Sequence, residues 1–348
     1  MASPRAYFWP RQKPVLLVLA SQILAAVVNG LAKTLETGCD RVHPLQILNI
    51  RLLITGVACL VYLMITKSAD GLWGPEHLMI HLFVRGITGI CGAVGFYFSI
   101  RYLTLAEATA LNFLAPLGSI LLAKYICDES FGWVDISAAV AALLSVVCVL
   151  QPKAIFVPEA TTNPALNQEP HTTIGLLYGS LGVFGGMVSL TAIRYIGTKT
   201  NPVIGINYFA WLTVAATTVG LMILPNISWP SGTVQWIQLL LIGLFGFGME
   251  YLLAMGLSGD VPATATVMIY SQIFWAVLFD WFNSKTVSNF WTWFGSIGIL
   301  LSLSAASLSQ ATRPPAYSLL QMQEGEEMIL HDRQATSTKR IIGASQIL

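Results

Sequence analysis

Long apolar blocks separated by short polar breaks dominate the chain. Ten blocks stand out: Val15–Leu35, Leu45–Thr66, Ile80–Tyr102, Ala106–Ile126, Trp133–Leu150, Ile174–Ile196, Val203–Leu224, Val234–Leu257, Pro262–Phe282 and Phe290–Leu308. Each is close to the roughly 20 residues a helix needs to cross the hydrocarbon core of a bilayer. The pattern therefore predicts an all-α membrane protein with ten transmembrane helices. Most breaks are short, and the third and fourth blocks are joined by little more than Leu103-Thr104-Leu105, which predicts a tight antiparallel pair. Two stretches leave the pattern. Gln151–Thr173 carries Pro152, Pro158, Pro164 and Pro170 and reads as an extended linker. From Gln310 to Leu348 the chain is polar, with Glu324, Glu326 and Glu327, and reads as a solvated tail without a core.

The linker divides the blocks five and five, and the halves share a register. Ala106-Glu107-Ala108-Thr109 opens the fourth block, and Ala263-Thr264-Ala265-Thr266 opens the ninth, 157 positions later. Gly86 and Gly89 stand the same 157 before Gly243 and Gly246, while Pro44 and Asn49 match Pro202 and Asn207 at 158. One shift across three helices predicts a duplication, 15–150 and 174–309. A five-helix unit has odd parity, so two copies in one chain must lie upside down relative to each other. That inverted repeat is a plan many secondary transporters use.

Composition agrees with a membrane protein. Hydrophobic residues make up 55% of the 348, charged residues only 10%, and mean hydropathy is +0.68. Soluble domains carry about 25% charged residues, so this chain could not cover a water-facing surface. A net charge of +1 gives no footprint for nucleic acid. Arg5, Arg11 and Lys13 precede the first block in the manner of a signal peptide, but the block runs to Leu35, too long for a cleaved segment. With a cytoplasmic N-terminus (1–14) and tail (310–348), 12 of the 18 Lys and Arg fall inside and 6 outside, Arg85 and Arg194 counted inside and Arg51 outside. The positive-inside rule favours that orientation.

Enzyme signatures fail one by one. His77 and His81 form a single HxxxH among five histidines, Gly256-Leu-Ser-Gly-Asp260 lacks the intramembrane aspartyl protease spacing, and there is no HExxH or GxSxG. The five cysteines are scattered without metal spacing. No catalytic residue, metal or other cofactor is expected. No ATP-binding motif is present either, so any transport must be passive or ion-coupled.

The stretch Tyr102-Leu-Thr-Leu-Ala-Glu-Ala-Thr-Ala-Leu-Asn-Phe-Leu-Ala-Pro116, with an apolar helix closing on Cys127-Asp128-Glu129, resembles the fourth-helix signature of the EamA-type repeat. That repeat belongs to the drug/metabolite transporter superfamily, and the chain is most similar in character to its solute carrier 35-type members. The second copy departs from the signature. It has Pro262-Ala-Thr-Ala-Thr266, but Ile273 stands where the proline would fall and Lys285 lies near the place of the closing acid. The resemblance spans residues 14 to 310 and implies ten helices, a central pocket between two repeats, and both ends cytoplasmic.

Polar groups deep in apolar blocks are the candidates for that pocket. Glu250, in Gly246-Phe-Gly-Met-Glu250-Tyr251, is the sharpest. An acid at mid-membrane costs about 2.5–3.5 kcal/mol even on insertion scales. It either lines the pocket, with proton coupling as a second role, or pairs structurally with a Tyr or Arg of a neighbouring helix. Tyr251, Asn29, Arg51, Tyr97, Asn112, Tyr270 and Gln272 complete the set. Arg51 could instead snorkel to the outer interface. Glu107 reads as a helix cap with Thr104, and Lys33 with Glu36 as a local pair. The glycine runs Gly86, Gly89, Gly92, Gly95 and Gly175, Gly179, Gly182, Gly185, Gly186 read as close-packing faces. The functional expectation is a secondary transporter of a small polar metabolite working by alternating access. It would sit in the plasma membrane or a secretory-pathway membrane, with substrate and lipid bilayer as partners and room for a homo-oligomer. The alternative is a non-transporting membrane receptor or scaffold that regulates a partner through its tail.

Overall fold

The computed structural model describes residues 4–37, 42–67, 71–102, 105–126, 133–150, 169–197, 199–223, 229–230, 232–259, 262–284 and 290–312. The expected linker core (151–168) and the tail beyond 312 lie outside the described residues, as do the side chains of Lys33, Glu36 and Glu107. Two units divide the chain, Met1–Ser307 and Leu308–Leu348, and the described part of the second is only the end of the last helix.

Helices succeed one another: α1 Pro4–Thr37, α2 Pro44–Thr66, α3 Met79–Tyr102, α4 Leu105–Asn112, α5 Leu114–Ile126, α6 Trp133–Leu150, α7 Glu169–Gly197, α8 Pro202–Ile223, α9 Thr233–Leu257, α10 Pro262–Val267, α11 Ser271–Ser284 and α12 Phe290–Thr312. Seven stretches are long and apolar enough to cross a membrane, and 136–150 and 293–306 are shorter apolar helices. Prolines 44, 202 and 262 open their helices at the first position, where the missing N–H has no partner to lose. Two boundaries differ from the hydropathy reading. α1 starts at Pro4, not Val15, and α7 starts at Glu169, inside the expected linker. Hydropathy marks where lipid begins. In α1 the added turns carry Arg5, Arg11, Gln12 and Lys13, which are good helix formers, so that helix runs on past the border.

The outer surface is apolar. Met64, Ile65, Leu177, Phe184, Val234 and Leu301 are all more than half exposed, which suits lipid rather than water. Trp133 and Trp229 are exposed near helix ends, where amphipathic rings favour the membrane interface.

The fourth and ninth blocks are not single helices. α4 stops at Asn112 and α5 begins at Leu114; a 3-10 turn, Met268–Tyr270, separates α10 from α11. Pro116 explains the first break, because it has no N–H for the carbonyl of residue 112 and its ring crowds that carbonyl. The second break has no proline, since Ile273 stands there. The two breaks meet: Tyr270 Oη donates to the Phe113 carbonyl at 3.0 Å, and the two rings lie 5.8 Å apart. Positions 113 and 270 differ by 157, the shift read between the halves.

Other contacts recur at that shift. A Cβ on Gly86 of α3 would strike Leu212 of α8, and one on Gly243 of α9 would lie 2.5 Å from Ile54 Cδ1 of α2. Gly89 faces Phe209 in the same way that Gly246 faces Arg51. Each of these second pairs matches the first at 157 for the glycine and 158 for its neighbour. The closest helix pair, α3 with α7, is backbone against backbone. A Cβ on Gly95 would lie 2.5 Å from the Gly182 nitrogen, and one on Gly185 2.6 Å from the Gly92 nitrogen. Residues as small as glycine are what permit that approach.

Candidate functional site

Three charges meet inside the bundle. Glu250 on α9 is 8% exposed. Its Oε2 lies 3.5 Å from Arg85 Nη2 on α3, and its Oε1 lies 3.9 Å from Arg51 Nη2 on α2. The carboxylate thus offers one oxygen to each guanidinium. Arg85 is held further. Its Nη1 donates to Ser189 Oγ on α7 at 2.8 Å, and its guanidinium carbon lies 4.5 Å from the Phe209 ring centroid on α8. A guanidinium over an aromatic face is attracted by the ring quadrupole. Arg51 is held loosely, its Nη2 donating to Met249 Sδ at 3.8 Å. A Cβ on Gly246 would lie 2.8 Å from Arg51 Nε, so the glycine makes room for the arginine.

Mutual pairing is what lets these groups sit away from water, since an isolated buried charge is far costlier than a paired one. One residue after Glu250, the Tyr251 hydroxyl lies 3.4 Å from that of Tyr62, and Phe247 packs against the Tyr251 ring with centroids 6.1 Å apart.

The structure brings Glu250 and Arg51 together, pairs Tyr251 with Tyr62 instead, and spreads the other candidates. Asn29 is exposed on α1. Asn112 is half-buried at the end of α4, and Gln272 half-buried at the start of α11, so both flank the helix breaks. Tyr270 is fully buried, and its hydroxyl is engaged by Phe113. The side chain of Tyr97 lies outside the described residues.

Arg85 and Arg194 were counted as inner-side charges; both are buried, at 3% and 1% exposure, and Arg194 donates to the Thr266 hydroxyl. An arginine six residues into a block reads from sequence as an interfacial anchor, because its stem is long enough to reach water. Ser189, Tyr62 and Phe209 were also missed, being ordinary membrane-helix residues until the fold places them. Among the described residues, no group of three or more His, Cys, Asp or Glu is placed to hold a metal ion.

Comparison with known proteins agrees with this architecture. Residues 12–151 match the model of the EamA-like transporter family. The chain is 38% identical to "Probable transporter vicT" of Bipolaris victoriae, over 92% of this chain and 93% of that protein. It is 31% identical to "Probable transport protein YPL264C" of Saccharomyces cerevisiae, over 77% and 79%. It is 22% identical to solute carrier family 35 member G1 of Mus musculus, over 82% and 77%. A solved crystal structure at 17% identity superposes with a TM-score of 0.70 over 85% of this chain and 97% of the other, which supports the fold alone. With its apolar helices, its match to the family model and a 38% identical relative along nearly its whole length, the chain belongs to the EamA-like transporters of the drug/metabolite transporter superfamily, a family of multi-pass membrane proteins.

Proposed function

We propose that the chain is a secondary transporter that moves a small polar metabolite by alternating access, with the Arg51–Glu250–Arg85 cluster as its pocket. The observation that carries this reading is the position of the cluster. Its charged residues lie on α2, α3 and α9, with Phe209 of α8 beneath Arg85. These are the helices whose Gly86–Leu212 and Gly243–Ile54 contacts recur between the halves. Two inverted five-helix units, 15–150 and 174–309, would meet along these helices, and rocking one against the other would open the cluster to each side in turn. The broken segments at Phe113 and Met268–Tyr270 support the same reading, because interrupted helices at matching positions are common at transporter binding sites.

In this reading both termini face the cytoplasm. Purified protein in liposomes, loaded and challenged with a metabolite panel, tests the proposal. Saturable counterflow of at least one compound, reduced by Glu250→Gln, is expected. Folded protein that binds a cytosolic partner through its tail but supports no saturable flux would replace the transporter reading with the receptor or scaffold one.

A further inference from the structure

The cluster is electrically unbalanced. Two guanidiniums face one carboxylate, and among the described residues no second acid forms an ion pair with either. Arginine keeps its proton in proteins, so the three groups together carry one net positive charge.

The two arginines are not equivalent. The Arg85 side chain is 4% exposed and is engaged by Glu250, Ser189 and the Phe209 face. The Arg51 side chain is 18% exposed. Its 3.9 Å approach to Glu250 is beyond hydrogen-bond length, its nearest acceptor is a thioether sulfur, and its Nε, like that of Arg85, has no hydrogen-bond partner. Sulfur of that kind is a weak acceptor. A guanidinium has five donors in a planar fork that fits a carboxylate bidentately. Within an apolar bundle, Arg51 keeps most of that capacity unmet.

Taking the cluster as the transport pocket, we infer that the substrate is a small organic anion whose single carboxylate-like group docks on Arg51, while Arg85 acts as a positioning residue that fixes Glu250. One negative charge brings the cluster to neutrality. A neutral ligand would leave the positive charge uncompensated. A cation would find the Glu250 carboxylate already shared by two arginines.

The test is thermal unfolding of the full chain in detergent, at constant ionic strength against a chloride baseline. The probes are lactate and benzoate, with lactamide and benzamide as uncharged counterparts. A ligand that binds the native state raises its unfolding midpoint. The carboxylates should raise the wild-type midpoint and the amides should not. Arg51→Gln should weaken the carboxylate effect about tenfold or more, as expected for losing charge-assisted hydrogen bonds, and Arg51→Lys should keep part of it.

Equal stabilisation by amides, an undiminished response in both Arg51 variants, or no response to any probe would overturn the inference. Should Arg51→Gln fail to fold, the amide comparison on wild type and Arg51→Lys decide the matter. A parallel run in phosphatidylcholine liposomes, with and without phosphatidylserine, separates a free anion from a lipid headgroup. Stabilisation by phosphatidylserine alone would overturn the substrate assignment. Counterflow separates this inference from the reading beneath it. Flux of lactamide without flux of lactate would overturn the anionic class and leave a transporter. Carboxylate stabilisation without flux of any probe would support the anion site and overturn transport.

Discussion

Arg85 and Arg51 share one carboxylate, yet their environments predict different consequences of removal. Arg85 holds Glu250 at 3.5 Å and Ser189 at 2.8 Å and is almost fully enclosed. Truncating one member of a buried pair costs about 3–5 kcal/mol, because its partner is left charged and unmatched. Arg85→Leu should therefore lower the unfolding midpoint far more than Arg51→Gln, because the Arg51 guanidinium has only a 3.8 Å contact to the Met249 sulfur and a 3.9 Å approach to Glu250. Equal midpoints for the two variants, measured side by side in the same detergent, would mean that Arg85 does not anchor the cluster. Glu250 was legible in the sequence because an acid inside an apolar block has no cheap explanation. Arg85 was not, because its cost depends on whether its stem reaches water, and only the packing of α3 against α7 and α8 decides that.

Helices were more legible than their interruptions. Apolar blocks located the helices, seven stretches of which are long and apolar enough to cross a membrane, since lipid requires an apolar surface of a certain length. The breaks at Phe113 and Met268–Tyr270 left no such trace, because a broken helix is as apolar as an intact one. Pro116 marked the first, but Ile273 gave no warning of the second. The glycine runs were readable as close-packing faces, though not their partners. They now yield a sharp contrast. A Cβ on Gly95 would press on backbone atoms of α7, which cannot rotate away, whereas a Cβ on Gly205 would meet only Ile196 Cγ2 at 3.9 Å, an ordinary contact. Gly95→Ala should force α3 and α7 apart and lower both folded yield and midpoint. Gly205→Ala should leave both at or slightly above wild type, since alanine favours helix over glycine by about 1 kcal/mol. Fluorescence-detected size exclusion followed by a melt reads both outcomes, and indistinguishable behaviour of the two variants would contradict the close approach.

The whole molecule is organised across its halves, which bears first on topology. Leaving out the enclosed Arg85 and Arg194 and the partly buried Arg51 takes the Lys and Arg distribution from 12 inside against 6 outside to 10 against 5. Only charges near the surface count toward orientation, and the two-to-one bias toward cytoplasmic termini is unchanged. A tag inserted at Asn163 should be reached from outside sealed cells or from the lumen, and terminal tags only after permeabilisation; the reverse pattern would invert the assignment. The 157-residue register was legible in the sequence, but its consequence for folding was not. α1 packs on α9, α2 on α8 and α3 on α7, so the most extensive helix contacts join one half to the other. The charges obey the same rule, with Arg51 and Arg85 in the first half and Glu250 in the second. Each half alone holds ionisable groups whose partners lie in the other, at a cost the bilayer makes high. Chains 1–163 and 164–348 expressed separately should therefore insert but be degraded or aggregate, and co-expressed they should associate and recover the wild-type midpoint. Arg85→Leu in the first fragment should weaken that association, as it leaves Glu250 without its nearest partner. Two fragments that are each stable and monodisperse alone, or that associate equally well with Arg85→Leu, would show that the halves do not depend on the shared charges.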